Sequence, residues 1–567
     1  MDINLSSGIS AWCFLGVCLL AVRLFIFPTT VGVFQKKTKG DFMIEERFNL
    51  IDSPWIPIAD VGRASLKQIF SEPNYRALGG NPVQKIALTK LLLAITQAAC
   101  TPEDYYHWKE LGAAGLAENC LIYLDKWHDK FYLYSEQPFL QMPKIMNLIS
   151  ARKEQKISKA KNNSDKLKAE KSALPKSFGA GFYPDLPSEN NTMLSHTLFE
   201  GIFSDAEKAV FIVSIMNFAL GGKRVEADLV NFSGQVYGSL YSAKSAPSLG
   251  NYVGYLHSYL TGKNLLTTLW LNLLTHEQIK SNKYWENGLG IPPWEVMPAS
   301  ETCAVANNYK TSYMACLIAL SRFALLEQPG IYYLDGIQYP SHKEGWREPS
   351  IAINNQGKDI KLLWLDPNKR PWRELTSLLS FISATSQGGF DCQQISFGFL
   401  RARKNKQEIG IWSGGLKVRG SSGDQSVKQD DDFVESQVWL PSNEELEDSP
   451  WFDNLKLEMK ELERLATIVY SSTRAYLKSQ KAIGENEAKM ASNLFWQLCE
   501  RKYQDLVINC KDINQTKALR KDFALFASKA YNSYCPKDTA RQLDAWAKNM
   551  PNLSKYLKET QQPKAEA

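Results

Sequence analysis

"LKLEMKELERLATIVYSSTRAY", Leu455 to Tyr476, sets the architecture of the C-terminal part of this chain. Leu455, Met459, Leu462, Ala466, Val469, Thr473 and Tyr476 recur in steps of four and three. That period places them on one face of a long helix, with Lys, Glu and Arg on the other. The same pattern returns downstream in Met490, Leu494 and Leu498, in Leu519, Phe523, Phe526 and Ala530, and in Leu543, Trp546, Met550, Leu553 and Leu557. Four amphipathic helices on modest connections predict a four-helix bundle over residues 441–567, with a kink in the last helix at Pro551.

Upstream the texture changes. "RFNLIDSPWIPI" (Arg47 to Ile58) alternates and holds two prolines, which predicts a short edge strand. "NPVQKIALTKLLLAITQA" opens with Asn81 as a cap and Pro82 in the first turn, and its dense apolar positions predict a buried helix. "KFYLYSEQPFLQM" predicts a strand followed by a proline turn. Ser204 to Leu220 and Leu265 to Leu274 predict apolar helices. Between Gln328 and Trp439, "GIYYLDGIQY", "PSIAIN", "IKLLWL", "QQISFGFL" and "EIGIW" read as short strands, and Gly420 to Asp432 as a loop. The fold class expected is α+β: a large mixed domain of helices and short strands over residues 43–440, followed by the bundle.

Hydrophobic and charged contents of 44% and 22% are those of an ordinary globular protein. The net charge of +6 is mildly basic, so its distribution matters more than its size. Arg152 to Lys176 alone holds nine basic and three acidic residues. Low hydrophobicity predicts a solvated, disordered insertion there, over 152–176. Its Lys153, Lys156, Lys159, Lys161, Lys166 and Lys168 are candidate phosphate contacts. "FLRARKNK" (Phe399 to Lys406) puts four cations directly after an expected strand, a second candidate for reaching phosphates.

Residues 1–42 stand apart. Ala11 to Val22 is apolar but too short to span a bilayer, and Arg23 interrupts any longer span. It lacks the basic start and the cleavage site of a signal peptide. The expectation is an extension outside the fold, with Met43 as the true start and the body in the cytoplasm. Ten scattered cysteines form no C-x-x-C pair, which predicts reduced thiols and argues against a zinc site. Phosphate-binding, dinucleotide-binding, zinc-protease and nucleophile-elbow motifs are all missing. His128–Asp129 has no further histidine nearby in sequence to complete a metal site. The residues therefore favour a binding protein over an enzyme. A membrane-tethered scaffold or adaptor, using the N-terminal apolar stretch and the bundle, is the alternative.

"NLIDSPWIPI", "FYLYSEQPFLQM", "SAPSLGNYVGYLHSYLTGKNLLTTLWLNLL" and the terminal bundle, in this order and spacing, resemble the CasA family, the large subunits of type I-E CRISPR surveillance complexes (Cascade). The resemblance runs from about Met43 to the C-terminus. It implies partners rather than chemistry: other Cascade subunits, the CRISPR RNA, double-stranded target DNA and a helicase-nuclease effector, with no cofactor, no small-molecule substrate and no stable membrane association. It also implies roles. A glycine-rich loop that reads the protospacer-adjacent motif (PAM) in the minor groove matches Ser248, Leu249, Gly250 and Asn251, of which only Gly250 keeps the glycine. A wedge hairpin that parts the duplex matches Arg401, Ala402, Arg403 and Lys404, where relatives carry Asn and Gln. A groove-reaching lysine is expected just before Gly345, Trp346 and Pro349, with Lys343 the nearest cation. Some relatives bind zinc through two C-x-x-C pairs; this chain has none, so no metal is expected.

Overall fold

The computed structural model describes residues 48–558 apart from 177, 179–202, 219–253, 329, 341–345, 347, 355–358, 383–388, 418–431 and 442–449. The expected N-terminal extension, residues 1–42, lies outside the described residues, as do Ser248, Leu249, Gly250, Asn251 and Lys343.

The fold is α+β. Of the expected proline-rich strand, Ile56–Ile58 (β1) forms a ladder, with Gly62–Ala64 (β2). A short helix, Leu66–Ser71 (α1), follows. Pro82–Cys100 (α2) is the buried helix foreseen: the Asn81 side chain accepts from Gln84 N, and the Gln84 side chain accepts from Asn81 N, closing a capping box. By length and composition α2 could cross a membrane, yet 67% of that window is buried inside the protein. A helix apolar on all sides belongs in a core. Tyr105–Lys126 (α3) packs against it. "KFYLYSEQPFLQM" forms no strand; Tyr132 makes an isolated bridge to Asn49.

The Lys-rich segment corrects its expectation. It is not irregular but lies in two helices, Lys144–Lys159 (α4) and Asn163–Ser172 (α5). Its Lys, Ala, Glu and Leu residues are good helix formers even where they cannot make a core. Asn162 caps α5 by accepting from Asp165 N at 2.8 Å. Ile145 is fully buried at one end. At the other, the Lys176 and Ile331 backbones exchange hydrogen bonds of 3.0 and 2.9 Å. The pair of helices is thus rooted at both ends.

Asp205–Asn217 (α6) leads to the undescribed stretch 219–253, and the chain returns in His257–Thr261 (β3). Leu265–Asn272 (α7), His276–Ser281 (α8), Ala304–Lys310 (α9) and Tyr313–Leu317 (α10) follow. Two antiparallel pairs come next: Arg322–Glu327 (β4) with Gly330–Asp335 (β5), and Ile353–Asn354 (β6) with Lys361–Leu362 (β7). After Leu375–Leu378 (α11), "QQISFGFLRARK" is a helix, Gln393–Lys404 (α12), not the strand expected. Ile395, Phe399 and Ala402 fall at helical spacing on its buried face. Gly410–Lys417 (β8) sits between β3 and Asp432–Trp439 (β9) in an antiparallel sheet.

Pro450–Ser479 (α13), Glu485–Asn509 (α14) and Ile513–Tyr534 (α15) pack on one another. All seven α13 positions read from the sequence are buried. In α14 the inner face is Ala488, Ala491, Phe495 and Cys499, with Leu498 buried as read, while Met490 points out with 53% exposure. Small alanines, which a pattern of large apolar residues passes over, hold the interface. The fourth helix breaks at Pro551 into Ala540–Lys548 (α16) and Ser554–Lys558 (α17). Ala545 and Tyr556 face inward there, and Leu543, Met550 and Leu557 are exposed.

Body and bundle share one hydrophobic core. Trp372 lies 4.2 Å from the Tyr503 ring and 5.8 Å from the Trp496 ring. The Gln504 amide donates to Trp439 O at 2.8 Å and accepts from Trp439 N at 3.0 Å. A bundle side chain thereby completes the hydrogen bonding of a sheet-edge residue.

Candidate nucleic-acid interface

Although the expected PAM loop itself is not described, the point where the chain returns from it is. Gly254 lies so close to β8 that an added Cβ would stand 1.8 Å from Leu416 O. Gly415 faces Tyr255 O in the same way, at 2.7 Å. Of the glycines in "SAPSLGNYVGY", Gly254 is therefore required by close backbone approach.

Behind this root runs a buried polar chain that sequence reasoning missed. Lys90 Nζ on α2 pairs with Glu348 Oε2 at 2.9 Å, both side chains almost completely buried. Ser350 Oγ donates to Glu348 Oε1 at 3.0 Å and lies 2.8 Å from His257 Nδ1. A hydroxyl has one proton, so with Ser350 donating to the carboxylate, His257 Nδ1 is the donor to Ser350. A buried ion pair whose remaining atoms are hydrogen-bonded is costly to break. One signal was legible: Lys90 interrupts an otherwise apolar helix face beside Leu91, Leu92 and Leu93.

The chain joins two of the expected reading segments at their roots. Ser258 N donates to Ser350 O at 2.8 Å, and His257 bridges to Ile351. Tyr339 and Trp346, whose rings lie 4.3 Å apart and tilted by 56°, flank the undescribed stretch that holds Lys343, and Glu348 follows it. The return from residues 248–251 and the exit from residues 341–345 are thus fixed against each other.

The expected wedge is corrected in part. Ala402 is fully buried and Arg401 is 5% exposed. Arg401 donates to the Leu273 and Leu271 carbonyls, the second at 3.3 Å. These belong to the C-terminal end of α7, where a cation is favoured by the helix dipole. Its guanidinium lies 4.8 Å from the Trp108 ring, which stacks on Trp270 at 4.1 Å and 5°. Burial, the largest influence, pushes the Arg401 pKa down to about 9, and neighbouring Tyr313 opposes it. Arg401 and Ala402 are core residues. The helical period that turns them inward leaves Arg403 half-buried and Lys404 exposed. Lys404 Nζ sits 5.3 Å over the Tyr105 ring, and exposed Lys406 follows at φ 51°. From this tip the chain runs into Gly410 at the start of β8, whereas the loop root lies beside Gly415, five residues or about 17 Å along the strand.

The α4–α5 pair gathers the lysines. Lys153, Lys159, Lys161, Lys166 and Lys168 are exposed; Lys156 is half-buried and reaches Ser172 Oγ at 3.3 Å. His128 Nε2 pairs with Asp52 Oδ2 at 2.7 Å, clamping the start of the described chain to the turn after α3. Among the described residues, no group of three or more His, Cys, Asp or Glu is placed to hold a metal ion.

Three comparisons bear on the family and the fold. The family model for CRISPR-associated protein Cse1 matches residues 49–533. A curated relative, CRISPR-associated protein CasA/Cse1 of Thermus thermophilus, is 30% identical over 363 residues, 59% of this chain and 60% of the relative. The match therefore spans about three-fifths of that relative's length. The crystal structure of Thermus thermophilus CasA superposes with a TM-score of 0.63 at 19% identity, covering 90% of this chain and 99% of that one. Thermobifida fusca Cse1 gives 0.63 at 18% identity, covering 89% and 96%. A chain of a CRISPR RNA-guided surveillance complex gives 0.62 at 13% identity, covering 89% and 98%. At these identities the superpositions speak for the fold, and the match over residues 49–533 speaks for descent: this chain belongs to the CRISPR-associated protein Cse1 family.

Proposed function

We propose that this chain is the large subunit of a type I-E RNA-guided surveillance complex, and that it reads the PAM on duplex DNA. It helps to open the duplex for guide pairing and to recruit the helicase-nuclease. It acts in the cytoplasm with the other Cascade subunits and the CRISPR RNA, by binding rather than by catalysis. Protein reads a short motif and shape, and base pairing reads the remaining sequence. Membership of the Cse1 family carries this reading.

The interface residues supply physical means. Ser248, Leu249, Gly250 and Asn251 read the minor groove by close backbone approach, with Lys343 reaching in beside them. Minor-groove readout is degenerate, so several motifs are accepted. Arg403 and Lys404 act where the first pairs part. The α4–α5 lysines hold phosphates further along, a contribution without sequence preference.

The test is R-loop formation by the assembled complex on paired and pre-opened targets, with and without the motif. Gly250→Leu should bring the affinity for motif-bearing duplex towards that for motif-free duplex; giving up specific recognition costs about 1–3 kcal/mol per base pair. Arg403→Ala with Lys404→Ala should spare the pre-opened target and slow the paired one. Full motif discrimination by Gly250→Leu would overturn the loop's role. Equal loss on both targets would reduce the tip to a phosphate clamp.

A further inference from the structure

One face of the sheet β3–β8–β9 carries a row of aromatic and polar side chains. In register, Tyr259, Trp412 and Gln437 lie side by side, as do Thr261, Gly410 and Trp439. The two-residue period of strands places all of them, with Glu435, on one face. Over it lies a cleft of about 470 Å³, walled by α2 and by the turn into α7.

The cleft has a fixed aromatic floor. Glu435 accepts from Trp412 Nε1 at 2.9 Å and pairs with Lys85 Nζ at 2.8 Å. That carboxylate sets the orientation of the Trp412 ring, which lies 6.4 Å from Tyr259. Trp439 closes the far side. Both sides of Glu435 are engaged, so it neutralises Lys85 and leaves the other cations of the lining, Arg76 and Lys263, uncompensated. Both are exposed, and neither forms an ion pair among the described residues. A partly exposed indole held by a carboxylate, flanked by two cations and by the Thr261 hydroxyl, has the chemistry of a stacking platform with phosphate contacts.

We infer that this cleft binds a nucleotide unit of a single strand, its base against Trp412 and its flanking phosphates on Arg76 and Lys263. The inference rests on reading the chain as a nucleic-acid-binding subunit. The cleft is set apart from the point where the chain returns at Gly254: Gly254 faces Leu416, four residues from the cleft's Trp412 along β8, or about 14 Å. Within a duplex each internal base is stacked on both faces, whereas the bases of a single strand are open to an indole floor, so the ligand is single-stranded. It is a ribose or a deoxyribose strand, and the two arms of the test tell these apart.

The full chain is titrated with labelled mixed-sequence 12-nucleotide single strands, one ribo and one deoxyribo, each carrying a photoreactive thiopyrimidine. The cross-linked peptides are then mapped. Cross-links should fall on the peptides that hold Trp412 or Trp439. Arg76→Gln with Lys263→Gln, both surface changes that leave the melting temperature in place, should weaken binding about tenfold. It should also lower the salt slope by roughly 0.7 for each phosphate no longer neutralised. Trp412→Leu should weaken binding without changing the slope. Tighter binding of one strand identifies the sugar. Unchanged affinity in the double variant, or cross-links confined to other peptides, would overturn the inference. Motif discrimination on duplex DNA is scored separately through Gly250→Leu, so failure of the proposed function is told apart from failure here.

Discussion

Arg401 shows how far a charged residue can mislead. In "FLRARKNK" it is one of four cations and reads as part of a basic tip. The helix that carries it turns every third or fourth side chain inward, and Arg401 falls on that side with Phe399 and Ala402. There it serves the free carbonyls at the end of α7 and faces Trp108. Arg401→Ala should cost about 2–4 kcal/mol, since it leaves two buried acceptors unmet. Thermal melting reads that loss, while DNA affinity per folded molecule should stay unchanged; a fall in affinity at unchanged stability would return Arg401 to the interface. Its fate is illegible to a strand reading of the segment, because a wrong period misassigns every face. Lys90, by contrast, is legible in principle as one charge inside an apolar helix. Its partner Glu348 lies too far along the chain for any local pattern to name.

At the scale of elements, local signals worked where one face decided the matter. The α13 stripe and the Asn81–Pro82 start of α2 depend on spacing and capping alone, and both stand as read. The Lys-rich segment misleads because composition measures the ability to form a core, whereas α4 and α5 are rooted on β5 and on buried Ile145. Replacing Lys153, Lys156, Lys159, Lys161, Lys166 and Lys168 with Gln should weaken all duplexes alike and lower the salt slope by roughly 0.9 for each phosphate released from a lysine. An unchanged slope in a binding titration over several salt concentrations would make the pair of helices a bystander. Inside the bundle, Arg520 meets Glu458 through two hydrogen bonds of 3.0 and 2.6 Å. Burial opposes the arginine's charge, but the carboxylate outweighs it and holds its pKa above the ordinary value. Glu458→Leu alone should cost about 3–5 kcal/mol by stranding the cation. Glu458→Leu with Arg520→Leu should recover most of that in the same melting experiment.

For the whole molecule, a mixed body and a terminal bundle are foreseen by the sequence, but the seam between them is not. Trp372 reaches Trp496 and Tyr503, and Gln504 completes the backbone of Trp439. Such contacts join residues more than sixty positions apart, beyond the reach of any periodicity. One continuous core predicts that body and bundle melt together. Trp372→Ala should cost about 3–5 kcal/mol and separate the two transitions in calorimetry, with the bundle melting first. A single unsplit transition at the original temperature would show that the seam contributes little.

Phe218 and His257, the described residues nearest to either side of the 219–253 stretch apart from Gly254 to Leu256, have ring centroids only 5.5 Å apart. The described residues on the two sides of that stretch therefore lie at almost one point. Closing a chain between fixed ends costs more with length only logarithmically, about 0.6 kcal/mol for each doubling. The stretch that carries Gly250 is in consequence an exchangeable cassette: it can lengthen, shorten or change its residues at little expense to the fold that holds its two ends. The proposed reader of the motif can therefore be rewritten without rebuilding the fold that holds its ends.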